Sequence, residues 1–368
     1  MTGIQKVIGL MSGTSLDGVD AALIETDGQD IVRPGPSLTL TYDGRSRGIL
    51  RAALDEAQAV AQGAPVPQSI REAERHLTQV HAEAVKALLV KAGLAAREVA
   101  LQGFHGQTIL HRPERGWTWQ IGDGPLLAGL TGIDVINDFR TADVKAGGQG
   151  APLMPLYHAV LARQAGLNEP LVVVNIGGVA QVTYIKDDLV LAFDTGPGNA
   201  PIDDWMLRHS GRPVDEDGAF AATGKVNLPA LDAMLANPWF GQAPPKSLDR
   251  MDFGLEAVKN LAPKDGAATL AAFTAAALGR AREHFPEAAA TWVVSGGGRH
   301  NKTLMAMLRG RVNASVLAAE DIGWDGDALE AQGFGYLAMR AKKGLPLSLP
   351  TTTGVKQPVS GGRYHRKP

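Results

Sequence analysis

The residues with the clearest chemical potential lie in the run GLMSGTSLDGVD at residues 9–20, between apolar stretches at 7–10 and 21–26. A turn rich in Gly, Ser and Thr offers converging N–H groups and hydroxyls, which suit phosphate oxygens. Ser12, Gly13, Thr14, Ser15 and Gly18 are therefore candidate phosphate-binding residues. Asp17 and Asp20 would repel phosphate, and are better suited to hold Mg²⁺ beside it, directly or through water.

A second candidate is Asp194 in LAFDTGPGNAP, residues 191–201. An apolar strand at 189–193 ends at this carboxylate, and Gly-Pro-Gly then turns the chain into a helix with Asn199 near its cap. A carboxylate there stands at the end of a sheet, where α/β proteins open their clefts. It can act as a general base, a contribution of about 10²–10⁴ in rate. A turn or capping aspartate is the alternative, and Asp203 and Asp204 read as capping or solvated residues.

A third constellation joins GFHGQT (103–108), WQIGD (119–123) and NDFR (137–140). Amide, hydroxyl and guanidinium groups at the ends of short strands could read a sugar. Arg140 could also grip a carboxylate with two parallel bonds. His105 reads as a hydrogen-bonded structural residue, and no His or carboxylate spacing here matches a zinc site.

These residues need positioning elements. Strand patterns fall at 6–10, 21–26, 38–42, 99–104, 118–121 and 135–137. One helix begins at a capping box, Ser69 with Glu72, and keeps its apolar period through Leu88 to Gly93; His76 and His81 are expected on its solvated side. The Gly- and Pro-rich segment 146–155 predicts a hinge and a domain boundary. The second half reads as a helix (156–164), a glycine hairpin (171–185, containing NIGG) and the Asp194 strand and helix. A connector (237–264), an alanine-rich helix (267–284) and a strand ending in SGGGRHN (295–301) follow. A helix at 327–342 returns the chain to the first domain.

Strand, glycine turn and strand in each half, followed by a late strand ending in three glycines, resembles the actin, sugar-kinase and Hsp70 superfamily. The expected fold class is α/β, a two-domain actin-like or sugar-kinase (ribonuclease H-like) fold with mixed sheets flanked by helices and a central nucleotide cleft. Residues 1–145, completed by about 343–368, form the expected N-terminal domain, and 146–342 the C-terminal one. Domain closure is expected about 147–150 and 323–326. Residues 350–368 lack periodicity and are expected to be mobile at the tip or laid over the surface.

The length of 368 residues fits two domains. A formal net charge of −2 argues against nucleic acid or an anionic membrane as partner. The lack of cysteine excludes thiolate catalysis, disulfides and Cys-ligated clusters, and fits the cytoplasm. No segment reads as a signal peptide or a membrane span.

The stretches GLMSGTSLDGVD, FHGQTI, QIGDG, DFR with AGGQGAPL, NIGG, FDTGPGN and SGGGRHN together resemble the anhydro-N-acetylmuramic acid kinase family. The resemblance implies ATP as co-substrate, 1,6-anhydro-N-acetylmuramic acid as acceptor, and a homodimer serving peptidoglycan recycling. It implies that Asp194 activates a water against the anomeric carbon while the ring oxygen takes up phosphate. It further implies phosphate contacts from Asn175, Gly177, Gly178, Gly196, Gly198 and Asn199, and adenosine-side contacts from Ser295, Gly296, Gly297, Gly298 and Asn301. Thr108, Gln120, Arg140 and Glu330 become candidates for the sugar pocket. An ordinary sugar or acid kinase acting on a free hydroxyl is the nearest alternative, and an ATP-driven conformational switch is one of another class.

Overall fold

A computed structural model describes residues 3–13, 15–248 and 253–368. The chain packs as two compact units, residues 1–164 with 328–368 and residues 165–327. The divisions therefore fall after Gln164 and Asp327, where the sequence pattern had suggested 145 and 342.

Unit 1 opens with the strands β1 (Gln5–Met11), β2 (Gly18–Thr26) and β3 (Val32–Thr41), followed by the helices α1 (Gly44–Ala57) and α2 (Gln68–Ala92). Next come β4 (Leu101–Phe104), β5 (Gln107–Arg112), β6 (Trp117–Ile121), α3 (Gly124–Thr131), β7 (Val135–Asn137), α4 (Thr141–Lys145) and α5 (Pro155–Gln164). Along β1, Ile8 and Leu10 join Leu77, Val85 and Leu88 of α2 in one buried core, as the strand period of two and the helix repeat of 3.6 require. The α2 helix stops at Gly93, whose φ of 65° is left-handed.

Two expectations for α2 fail. Its N-cap is Pro67 without a side-chain cap, because the Ser69 hydroxyl bonds Glu56 of α1 instead. His81 is wholly buried, donating through Nδ1–H to Leu77 O at 2.8 Å, and burial lowers its pKa to about 4.

Unit 2 is continuous: β8 (Leu171–Ile176), β9 (Val179–Lys186), β10 (Leu189–Pro197), α6 (Ala200–Ser210), α7 (Leu228–Leu235), α8 (Pro263–Arg280), β11 (Thr291–Ser295), α9 (Lys302–Arg309) and β12 (Ser315–Ala318). Val172, Val174, Trp292 and Val294 form a core with Leu304 and Leu308 of α9. Trp205, Ala271 and Phe273 belong to a second core built around α6, α7 and α8. Small alanine side chains let α8 approach its neighbours closely, which accounts for its almost complete burial.

The chain then returns to unit 1 through α10 (Leu329–Lys342), α11 (Pro350–Thr353) and β13 (Arg363–His365). The α10 helix lies on the face of β1 opposite α2. A Cβ at Gly9 would come within 1.7 Å of Ala331 O, so only glycine permits this approach. The tail is laid down rather than loose: β13 pairs antiparallel with β7, and His365 bonds Asn137 at 2.9 Å.

The two units repeat one sheet plan. Unit 1 runs β13-β7-β4-β1-β2-β3 and unit 2 runs β12-β11-β8-β9-β10. In each, the first three strands are antiparallel neighbours, and two later ones, β4 and β7 in unit 1 and β11 and β12 in unit 2, add in parallel on the other side of the first. Unit 1 adds β13 at the edge of its sheet and a separate antiparallel pair, β5 with β6. This is a duplicated α/β plan of mixed sheets flanked by helices, the fold class that the sequence pattern leads one to expect.

The glycine segment near 147–150 lies inside unit 1, and it is clamped. Asp143 Oδ1 accepts from Gly150 N at 2.6 Å, and its Oδ2 accepts from Thr353 Oγ1 at 2.6 Å and from the Ser348 hydroxyl. Gln149 N also donates to Thr353 O at 2.7 Å. A loop held this way is a poor hinge. The other expected hinge, 323–326, directly precedes the return to unit 1.

Candidate active site

The β1–β2 hairpin closes with Met11 opposite Asp20. Thr14 lies outside the described residues. Ser12 is buried and donates to Gly106 O at 3.1 Å, while the Ser15 hydroxyl bonds the Asp17 carboxylate. Both hydroxyl protons are thus committed within the protein, leaving the main chain as the better source of phosphate donors. Gly13 is half-buried, with the Ser15 hydroxyl 3.4 Å from where a Cβ would stand, and Gly18 is buried against Leu40 of β3.

Asp17 is exposed and Asp20 half-buried, with Asp20 Oδ1 accepting from Thr39 Oγ1 at 2.6 Å. Both charges act on the buried Tyr42 hydroxyl. Two carboxylates on one hairpin suit Mg²⁺, which takes one or two protein ligands and completes its octahedron with water and phosphate. Among the described residues, no cluster of three or more His, Cys, Asp or Glu side chains is arranged to hold a metal.

Unit 1 also gathers the proposed sugar residues. Gln120 Nε2 donates to Thr108 Oγ1 at 3.1 Å and to Thr118 Oγ1 at 2.8 Å. His111 continues this network, touching Thr118 Oγ1 through Nδ1 and Gln149 O through Nε2, each at 2.9 Å. Arg140 donates through Nη1 to Gly150 O at 2.7 Å and through Nε to His105 Nε2 at 3.1 Å.

Glu330 sits in the first turn of α10 and is half-buried. Burial raises its pKa, Arg140 opposes that shift and Asp20 adds to it. Glu330, Arg140 and Asp20 therefore share one electrostatic environment.

His105 is buried, and the structural role expected of it is what the geometry gives. Desolvation, then the Arg140 cation, holds its pKa well below the ordinary value. Its Nδ1 is 2.8 Å from Gly106 O and its Nε2 accepts from Arg140, so the proton resides on Nδ1.

In unit 2 three loops converge. Asn199 N donates to Gly177 O at 2.7 Å and Gly198 N to Gly178 O at 2.9 Å, tying the β10–α6 turn to the β8–β9 turn. A Cβ at Gly198 would meet Gly177 O at 2.2 Å, so this contact needs glycine. Asn199 Nδ2 donates to Ile176 O at 3.2 Å, and Asn175 pairs with Ser295 across β8 and β11. The β10–β9 register shifts between Asp194 and Gly196, leaving Thr195 as the extra residue and Gly196 opposite Ala180.

The third loop follows β11. Ser295 donates to Val174 O at 2.9 Å, and Asn301 caps α9 by accepting from Leu304 N at 2.9 Å. Gly297 and Gly298 pack against the Asn199 side chain, at 3.6 and 3.1 Å from where a Cβ would stand. The loop is held from behind by Arg299, which bonds Gly296 O at 3.0 Å, Asp327 at 2.8 Å and Glu320 at 2.8 Å. Burial works against the guanidinium charge, but the two carboxylates outweigh it.

Asp194 ends the regular part of β10 and is only 5% exposed. Its Oδ2 accepts from Leu248 N at 2.8 Å, and its own N–H donates to Lys246 O at 3.0 Å. A strap of chain from the connector therefore fixes both its main chain and its carboxylate. Asp203 and Asp204 lie farther along α6, in its first turn and beyond.

The profile of the anhydro-N-acetylmuramic acid kinase family matches residues 5–367. The chain belongs to this family. An anhydro-N-acetylmuramic acid kinase of Rhizorhabdus wittichii is 51% identical over 362 residues, covering 98% of each chain. That of Paramagnetospirillum magneticum is also 51% identical, covering 97% of this chain and 99% of its own. Among solved structures, (R)-2-hydroxyglutaryl-CoA dehydratase component A of Acidaminococcus fermentans is 11% identical, with a TM-score of 0.48, covering 91% of this chain and 98% of that one.

For a member of the anhydro-N-acetylmuramic acid kinase family, several structurally important residues lack a strong sequence signal. Asp143, Ser348 and Thr353 hold the GGQG loop from sites far apart in sequence. Thr118 alternates with the pocket candidate Gln120 along β6, whereas His111 is three residues from Thr108 in β5 and meets Thr118 only across a register shift that no sequence pattern marks. Arg299 lies within SGGGRHN, yet its partners Glu320 and Asp327 are revealed only by the fold.

Proposed function

We propose that this protein uses ATP to open and phosphorylate 1,6-anhydro-N-acetylmuramic acid, giving N-acetylmuramic acid 6-phosphate and ADP. The observation that carries the reading is Asp194, a buried carboxylate held at two points at a strand end beside a helix N-terminus, in a chain of this family.

The anhydro sugar has no free six-position hydroxyl for a base to deprotonate. Asp194 instead takes a proton from water as that water attacks the anomeric carbon. The bond from that carbon to the bridging oxygen breaks, and the released oxygen accepts the γ-phosphoryl group. Most of the transfer barrier is met by alignment and electrostatic stabilisation.

Main-chain groups of the hairpin around Gly13, and the loops carrying Asn175–Gly178 and Gly196–Asn199, bind the phosphates, while Ser295–Asn301 serves the adenosine side. Mg²⁺, held by Asp17 and Asp20, would neutralise phosphate charge. Thr108 and Gln120 read sugar hydroxyls, Arg140 takes the lactyl carboxylate, and Glu330 accepts from the sugar. Family resemblance supports a cytoplasmic homodimer in cell-wall recycling. Among the described residues no helix is long and apolar enough to cross a membrane.

Turnover in oxygen-18 water tests the reaction. Label at the anomeric oxygen of the product is expected. Unlabelled product from a free-hydroxyl sugar, with no turnover of the anhydro form, would favour an ordinary sugar kinase.

A further inference from the structure

Lys246 is a cation with an unusual burial. It is only 7% exposed, no carboxylate among the described residues is within bonding distance, and its Nζ donates to Trp239 O at 3.3 Å and Phe240 O at 3.2 Å. The same Nζ stands 4.2 Å from the centroid of the Trp239 ring and 6.0 Å from that of Phe193. Two carbonyls and an indole face thus replace the water an ammonium ion normally keeps. Its charged surroundings are Arg280 and Glu283, and His284 also senses its charge.

Such an arrangement costs desolvation, and packing alone does not require it: a methionine of similar length would fill the space. What the ammonium supplies is a fixed point. Lys246 belongs to the strap that holds Asp194, for its carbonyl accepts from Asp194 N at 3.0 Å. Two residues on, Leu248 N donates to the Asp194 carboxylate at 2.8 Å. Phe193, which lies under the ammonium, immediately precedes Asp194 in β10.

We propose that Lys246 is a positioning residue for catalysis: its ammonium, clamped by Trp239 and Phe240, locks the strap that orients the Asp194 carboxylate toward the attacking water. The inference rests on Asp194 being the general base. Freed of the clamp, residues 246–248 can shift, and a displacement on the order of 1 Å at a reacting group costs about 10²-fold in rate. Substrate binding, which uses other loops, should change little.

The test compares Lys246→Met, Lys246→Gln and Lys246→Arg in the full-length protein, each in parent and Asp194→Asn backgrounds. It measures kcat, KM for both substrates, and the thermal midpoint. The expected result for Lys246→Met is a kcat lowered about 10- to 100-fold, as for a displaced catalytic group, with both KM values within a factor of about two, as expected when uniform binding is retained. Lys246→Arg, which keeps a cation able to bond carbonyls and stack on indole, should restore most of the loss. In the Asp194→Asn background, Lys246→Met should cost nothing further, since the two act as one unit.

Parental kcat in Lys246→Met overturns the proposal, as does a full additional loss in the double variant. Should Lys246→Met fail to fold, Lys246→Gln decides by the same criteria, because its amide carries no charge for the indole face and is one atom shorter than the ammonium that spans both carbonyls. If Asp194→Asn itself turns over like the parent, the base assignment fails and the proposal falls with it. If Asp194→Asn is inactive while Lys246→Met is not, only the Lys246 proposal fails.

Discussion

Arg140 Nε donates to His105 Nε2 at 3.1 Å, making an uncharged histidine the rest on which a guanidinium lies. The other face of this device is Gly106 O, which takes both His105 Nδ1 and the Ser12 hydroxyl. Arg140 is thereby linked to Ser12 of the β1–β2 turn through His105 and Gly106 O. The planar fork matters here, since lysine cannot bond His105 and Gly150 while presenting a second edge to a substrate carboxylate.

Arg140→Lys should therefore raise KM for the anhydro sugar about 10- to 100-fold, the usual range for a lost charge-assisted bond. KM for ATP should hardly move. Initial-rate kinetics with each substrate varied in turn would check this, and an unchanged sugar KM would remove Arg140 from the pocket.

Asp194→Asn preserves the shape of the buried site and keeps an oxygen to accept from Leu248 N, while removing the basic lone pair. Turnover should fall about 10²–10⁴-fold with nucleotide binding intact. Calorimetry with a non-hydrolysable ATP analogue, beside turnover measurements, separates these effects. A variant within a few-fold of the parent would refute the base assignment.

Glu330→Gln should trade stability against function. Burial raises the Glu330 pKa above its ordinary 4.5, so the folded state resists ionising it. For a raised carboxylate, native stability increases as pH falls through the folded pKa towards the unfolded one. The glutamine variant should thus melt higher than the parent at neutral pH, with the advantage shrinking on acidification to pH 4.5 and below. Sugar KM should rise about tenfold or more for loss of a charged acceptor. Thermal melts across pH, paired with kinetics, test both halves.

Removal of divalent ions should abolish turnover, because Asp17 and Asp20 would otherwise stand uncompensated beside a triphosphate. Excess EDTA followed by MgCl₂ is the direct assay. Undiminished rates in chelator would contradict the Mg²⁺ assignment.

Much of this was legible in the chain because its signals are local. The strand at 135–137 and the helix at 156–164 were read almost residue for residue, and the NIGG hairpin followed from two apolar runs joined by glycines. The strand β5 was less visible: FHGQTI looks like a polar loop, and only pairing with β6 makes it a strand. Ser69 and Glu72 satisfied a capping pattern, but tertiary contact with Glu56 claimed the serine. The GGQG loop had the composition of a hinge, yet Asp143 bound it in place through partners some two hundred residues distant. Asp194 stands out as a candidate through its motif, whereas the strap that holds it has no motif at all.

The interrupted layout of unit 1 has a consequence for biosynthesis. Residues 165–327 form one unbroken stretch and can complete their sheet as they leave the ribosome. Unit 1 cannot, because α10, which covers Gly9 and the face of β1, is translated after all of unit 2. The earliest strands must wait with an apolar face uncovered until residues 329–342 have been made. This delay makes the nascent amino-terminal half the segment most dependent on chaperones, and premature termination before residue 342 the most damaging truncation for it.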